Sequence, residues 1–297
     1  MSYGSFEYAK CFDQLGEVVS LENSGVHCLK LSNHYTPHLD LSYCYPFIYI
    51  FNLSGLIEDL KKQINYQCFY GVLNPWITVI EEHEIQFFDV FIEYKDHYYC
   101  DLGQPDIWSR ISVSHRRLIK KALKKIDVKI SDPESVRDAW PDLYNNLIRR
   151  KNISGFTCFS KNILQKFLYV PGAKIFSAYR DQNLIGLVIF YISDPYVFYH
   201  LAAYSDEGYE LSASYGIFWE AIQYFRLHGL RLFHLGGAPD GGVGLGLLQF
   251  KKGFASGVRK AYFVGKVLDQ DQFRQTLIAS ESFGVRDFFP PYRKSAF

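Results

Sequence analysis

The chain has 297 residues, 48% of them hydrophobic and 21% charged, with a formal net charge of +1. That balance excludes an intrinsically disordered chain and wholesale binding of nucleic acid or a membrane surface, so any polyanion site must be local. The length predicts roughly two domains, and an aromatic share of 18% favours extensive β-structure.

Along the first half, residues 26–31 and 46–53 read as strands, rich in aromatic and β-branched side chains. Residues 55–63 read as a short helix with Ser54 as its N-cap. Residues 68–73 and 98–102 are further strands. In the stretch 107–130, Ile119, Ala122, Leu123 and Ile126 repeat at helical spacing. Around them crowd Arg116, Arg117, Lys120, Lys121, Lys124 and Lys125, six basic residues in ten. Such a run is either a solvated helix face or a wall that meets phosphates. Ser131-Asp132-Pro133 is a turn, and the domain boundary is placed there, between 1–133 and 134–297.

The second half begins with a helix over 142–150. Strands follow at 173–180 and 184–192, joined by Asp181-Gln182-Asn183, and at 196–204 after the Asp194-Pro195 turn. Residues 214–228 form an amphipathic helix with Ile217, Phe218, Ala221, Ile222 and Phe225 on one face. Ser212 or Ser214 can cap its start, and Gly229 fits its C-terminal stop. Residues 230–235 return as a strand. Strand, helix, strand with a crossover of this length is a right-handed βαβ unit with parallel strands. After two hairpin strands it predicts an α/β fold with a mixed sheet.

No two of the six cysteines make a CxxC pair, so neither a zinc site nor a disulfide framework is indicated, and the thiols read as buried in a reducing compartment. His34 and His38 lack partners at metal-ligand spacing, so no metal is expected. The N-terminus shows no signal-peptide pattern, and the apolar tract 184–204 is broken by Asp194-Pro195 and cannot span a bilayer as one helix. A cytoplasmic protein without membrane insertion is expected.

Three local features of the second half carry chemistry. The helix start at Ser212, Ser214 and Tyr215 offers unpaired amides that bind anions. The run from His234 through Gly236 and Gly237 to Gly246 has six glycines in its last eleven residues, which lets backbone approach a ligand closely. It matches neither a P-loop nor a dinucleotide-binding fingerprint, and it leads into no clear helix. Phe250-Lys251-Lys252 follows, and a lysine held near a reacting carbonyl stabilises the oxyanion of a tetrahedral intermediate.

The succession Tyr199-His200-Leu201, Phe218-Trp219-Glu220, the Leu-Gly-Gly strand end and Phe250-Lys251-Lys252-Gly253-Phe254 resembles the FemAB-like branch of the GNAT superfamily. Arg116-Arg117-Leu118-Ile119-Lys120-Lys121-Ala122 is similar to that family's basic helix, and Phe289-Pro290-Pro291-Tyr292-Arg293 to the tails of its polysaccharide-locus members. The resemblance runs from about residue 98 to 293. It implies tandem GNAT-like lobes, the second more complete, and acyl transfer to an amine.

By position, Phe250 and Lys251 match the family's Phe-Lys pair beside the transferred acyl group. Tyr204 or His200 would handle protons, while Ser212, Ser214, Tyr215, Gly236 and Gly237 would line the donor site. Arg116, Arg117 and Lys120 would hold the phosphates of a small-molecule or nucleotide-linked acceptor, such as an amino-sugar cell-surface precursor, or those of the donor. The usual GNAT pyrophosphate signature is missing before residue 214, which leaves the donor open between acyl-CoA and the aminoacyl-tRNA that some FemAB-like members use. A GNAT-fold binding module without catalysis is the reading from a different class.

Overall fold

The computed structural model describes residues 2–77, 80–238, 244–284 and 288–296. The chain divides into two compact units. The first holds Tyr3–Lys95 and Lys260–Phe297, the second Met1–Ser2 and Asp96–Arg259. The division thus differs from the boundary near 133: it falls within two long strands, at 95/96 and at 259/260, and the basic helix belongs to the second unit.

Before that crossing come α1 (Phe6–Lys10), β1 (Glu17–Ser20), β2 (His27–Leu31), β3 (Asp40–Tyr43), α2 (Leu53–Lys61), β4 (Cys68–Val72) and α3 (Glu82–Phe87). The first strand that crosses is β5 (Val90–Asp101), followed by α4 (Ile107–Arg110), α5 (Val113–Ala122), β6 (Asp127–Ser131), α6 (Pro133–Val136), α7 (Ala139–Lys151) and α8 (Lys161–Phe167). Then come β7 (Ala173–Arg180), β8 (Asn183–Ser193), β9 (Tyr196–Tyr204), α9 (Asp206–Glu210), α10 (Ala213–Leu227) and β10 (Leu232–Gly236). Last are α11 (Leu245–Phe254), β11 (Gly257–Val267) and α12 (Gln270–Ala279).

In the first unit β1, β2 and β3 pair antiparallel in turn, β3 pairs β4 parallel, and β4 pairs β11 antiparallel. The expected strand over 46–53 is absent. Ile48 makes a single parallel bridge to Leu73, and helix α2 begins early because Asn52, not Ser54, accepts the first free amide, that of Ser54. The C-terminal segment packs back onto this sheet: Tyr292 donates to Asp40 Oδ1 at 2.7 Å and Arg293 Nε to Asp40 Oδ2 at 2.6 Å.

The second unit carries the order β5-β10-β9-β8-β7-β6. Its neighbours are antiparallel except β10 and β9, the parallel pair of the expected βαβ unit. Helix α10 covers one face, burying Ile217, Phe218, Ala221, Ile222 and Phe225 against Phe190 and Phe233. Each of the four larger side chains contributes about 1.5–3 kcal/mol of burial. Gly216 lets α10 approach the end of α5 closely, since a Cβ there would lie 3.1 Å from Ile126 Cδ1. The basic helix is accordingly short. It ends at Ala122, and residues 127–130 of the expected stretch, with Ser131 of the expected turn, form edge strand β6.

Two irregularities shape the centre of this sheet. Parallel pairing of β10 with β9 stops at His234↔Phe198, six residues before β9 ends. Opposite, the register with β8 shifts between Ile189↔Leu201 and Phe190↔Tyr199, so His200 is the extra residue of a β-bulge. The bulge breaks the alternation of side chains. Tyr199, Ala202 and Tyr204 face the α10 side, whereas His200 faces Phe167 and Tyr191 on the other.

Candidate functional site

Strand β10 ends at Gly236, whose φ of 77° favours a residue without a Cβ. A Cβ there would lie 3.1 Å from Lys251 Nζ, and one on Gly237 would lie 3.0 Å from His97 Cδ2 and Nε2. The two glycines therefore let a lysine and an imidazole close on the backbone. Lys251 is 4% exposed. Its Nζ donates to the Gly237 carbonyl and sits 5.4 Å from the centre of the Tyr199 ring, a cation–π distance. The ammonium is thus held where the parallel pairing of β9 and β10 has just ended.

Below this turn, His97 Nδ1 and His234 Nε2 lie 2.9 Å apart with their rings stacked. Burial holds His234 well below the usual histidine pKa, with His97 and Lys251 acting in the same direction. His234 is a neutral imidazole beside a lysine.

Helix α11, absent from the sequence expectation, places Phe250 and Lys251. Gly246 and Gly253 disguise it, because glycine weakens helical patterns. Its Phe250 ring packs edge-on against Phe218 at 4.8 Å and Tyr215 at 5.1 Å, which brings the first turn of α10 to the residue before Lys251. Tyr199 joins the same cluster through Phe218 at 5.0 Å.

The sequence reading missed His115. It lies in the first turn of α5, with Nδ1 2.9 Å from Ser112 Oγ and Nε2 2.9 Å from the Phe250 carbonyl. Its ring meets Tyr215, Phe254 and Phe250 at 4.8, 4.9 and 5.9 Å. Burial lowers its pKa. The readable signal was a Ser-x-x-His spacing at a helix start, masked by the basic residues that follow.

The structure thus brings Tyr215, Gly236, Gly237, Phe250 and Lys251 into one neighbourhood. Ser212 is the N-cap position of α10 in a left-handed conformation, with no side-chain capping bond, and Ser214 lies in the first turn beside Tyr215. Tyr204 is buried on the α10 side against Tyr209 at 5.5 Å, and burial pushes its hydroxyl pKa well up. His200 lies on the opposite face, between Phe167 at 4.5 Å and Tyr191 at 4.6 Å, and burial pushes its pKa well down.

On α5, Arg116 is half-buried and Arg117 and Lys120 are exposed, with Lys120 Nζ 5.6 Å from the Trp108 ring. A surface groove of about 820 Å³ lies between β6 and α10, lined by residues such as Lys129, Phe176, Glu220 and Tyr224. It includes none of the candidate residues. Residues 239–243 of the glycine-rich run lie outside the described residues. Among the described residues no cluster of three or more His, Cys, Asp or Glu could hold a metal ion, and no helix is long and apolar enough to cross a membrane.

This chain, with its mixed sheet, βαβ crossover and bulged central strand, has a FemAB-like GNAT-type fold. FemX has that fold. Its crystal structure superposes with a TM-score of 0.69 over 92% of this chain and 93% of its own, at 13% sequence identity. The C-terminal domain of a protein provisionally named a lysylphosphatidylglycerol synthetase, from Agrobacterium fabrum, matches with a TM-score of 0.62 at 11% identity, covering 91% of this chain and 90% of that one. L-PGS from Bacillus licheniformis matches with a TM-score of 0.59 at 15% identity, covering 94% and 97%. No family model matches the chain, and no curated protein matches it in sequence.

Proposed function

We propose that the chain is an acyltransferase that moves an acyl group from an acyl-CoA thioester to an amine of a cell-surface precursor such as an amino-sugar. The observation that carries this reading is Lys251. Its ammonium is buried, oriented by the Gly237 carbonyl and the Tyr199 ring, and set at the point where β9 and β10 part.

In the reaction the neutral amine attacks the thioester carbonyl, a C–N bond forms, and the oxygen becomes an oxyanion. Lys251 is placed to stabilise that charge. The C–S bond then breaks, and the proton given up by the attacking nitrogen neutralises the departing thiolate as a free thiol. Tyr204 stays protonated because burial opposes its ionisation, so it can donate a hydrogen bond but cannot be the base. His200, on the other face of the sheet, has no part in this scheme.

The likeness of fold to FemX and to two lysylphosphatidylglycerol synthetase-type structures supports transfer chemistry on cell-envelope precursors by analogy of fold. A second reading, an aminoacyl-tRNA-dependent transferase of the peptidoglycan-bridge type, is favoured by the six basic residues of 116–125.

Titration calorimetry with acetyl-CoA and an aminoacyl-tRNA separates the donors, and UDP-glucosamine tests the acceptor. A tRNA user binds RNA with steep salt dependence and a CoA user does not. Donor binding with no turnover of any acceptor leaves a binding module. With the productive pair, Lys251→Ala is expected to lower kcat by about a hundredfold or more, the scale of losing an oxyanion donor. Thermal unfolding of Lys251→Ala and Lys251→Met checks that the fold survives. A folded variant with unchanged turnover removes Lys251 from the mechanism.

A further inference from the structure

We infer that His115 is a positioning residue: its bond to the Phe250 carbonyl sets the register of the Lys251 helix against the basic helix α5 and the first turn of α10. This deepens the reading of Lys251 and α5 given above and rests on it.

The hydrogen bonds fix the state of the ring. A backbone carbonyl can only accept, so His115 Nε2 carries the proton and donates to Phe250. Nδ1 is then the acceptor, and the Ser112 hydroxyl donates to it. Burial lowers the pKa, which favours this neutral tautomer. Both nitrogens are thereby committed, one to its own helix and one to α11.

The seat is shaped for an imidazole. A Cβ on Gly253 would lie 2.2 Å from His115 Cε1 and Nε2, so any larger residue at 253 displaces the ring. Glycine inside a helix costs up to about 1 kcal/mol relative to alanine, and here its bare face is filled by the ring. A second tie runs beside the first, from the Ser112 amide to the Gly253 carbonyl at 3.0 Å. Edge-on contact with Tyr215 at 4.8 Å adds the start of α10 to the junction. Arg116 and Arg117 follow His115 directly on α5, and Lys251 follows Phe250 directly on α11. One side chain therefore ties the segment expected to hold acceptor phosphates to the segment that holds the lysine.

A histidine that only filled space would be replaced without loss by an apolar residue of similar volume. A directional tie needs an N–H at the far end of the side chain. Glutamine carries one at the reach of Nε2; asparagine reaches only as far as Nδ1; leucine offers none.

The test is hydrogen–deuterium exchange of the whole chain for His115→Gln, His115→Asn and His115→Leu, alongside steady-state kinetics with the productive donor and acceptor. In α11 the Gln variant is expected to exchange like the parent. The Asn and Leu variants should exchange about tenfold faster there, the scale of one lost buried hydrogen bond, while β8 and β9 stay protected. Their kcat should fall by about the same factor with KM less affected, whereas the Gln variant stays within about threefold of the parent. Equal α11 exchange in all three variants, or a Leu variant indistinguishable from the parent, overturns the inference. If Lys251→Ala leaves turnover intact, the proposed role of Lys251 fails separately, and α11 exchange still decides the role of His115.

Discussion

His200 shows how far a residue's chemistry depends on which side of a strand it takes. Its imidazole is stacked on Tyr191 and edge-on to Phe167, and burial keeps it neutral well below the ordinary histidine pKa. In the unfolded chain it titrates near about 6.5. Below that pH the unfolded state binds a proton that the native state refuses, so stability falls as pH falls, by up to about 1.4 kcal/mol per pH unit. Above about 6.5 both states are neutral and the contribution is flat. His234 and His115 shift in the same direction and steepen the slope. Urea midpoints measured from about pH 8 down to about pH 5 are expected to hold and then decline. In His200→Phe the decline should be shallower by up to one such increment. A slope identical to the parent's would mean that His200 is not held neutral.

Elements were legible where periodicity and punctuation agreed. Strands β7 and β9 fall at the expected residues 173–180 and 196–204, and α10 within a residue of its expected span. Pro and Gly marked the ends, and the aromatic and β-branched runs had no helical alternative. What failed was set by contacts distant in sequence. The bulge at His200 follows from pairing with β8 and moves Tyr204 and His200 to opposite faces, although simple alternation puts them together. Helix α11 stayed hidden because Gly253 serves the His115 ring and not helix propensity. The strand expected at 46–53 has the composition of one, but its strand pairing is the isolated bridge of Ile48 to Leu73.

The C-terminal strap belongs to this scale too. Asp40 is fully buried in β3, and Arg293 and Tyr292 take its two carboxylate oxygens, with Arg293 also donating to the Ser32 carbonyl at 2.8 Å. Removing one partner of a buried pair leaves a charge uncompensated, at about 3–5 kcal/mol. Arg293→Met should lower the stability of the first unit by that order in chemical denaturation. Arg293→Met combined with Asp40→Asn should recover part of the loss. A single variant within about 1 kcal/mol of the parent would show that the pair is hydrated and weak.

For the whole molecule, charge is close to balanced, at +1, yet six of its basic residues fall within ten positions of α5 and the turn after it. All the candidate residues fall between Asp96 and Arg259, so the basic segment and Lys251 belong to one compact unit. A near-neutral protein gains little long-range attraction for anions from its total charge; the local cluster must supply it. That attraction acts through water and is screened, over about 10 Å at 0.1 M salt and about 3 Å at 1 M. If Arg116, Arg117 and Lys120 meet the diphosphate of UDP-glucosamine, its affinity should fall steadily as salt rises. The combined variant Arg116→Gln, Arg117→Gln, Lys120→Gln should bind weakly at low salt and show little further dependence. Half-buried Arg116 is expected to account for the largest single share, since desolvated charges are screened least. With tRNA the same variant should flatten a steeper line, because each phosphate neutralised on a single strand contributes about 0.7 to the log–log slope. Titration of parent and variant at four salt concentrations reads both slopes. Coincident curves for parent and variant with either ligand would leave the α5 run as a solvated face and nothing more.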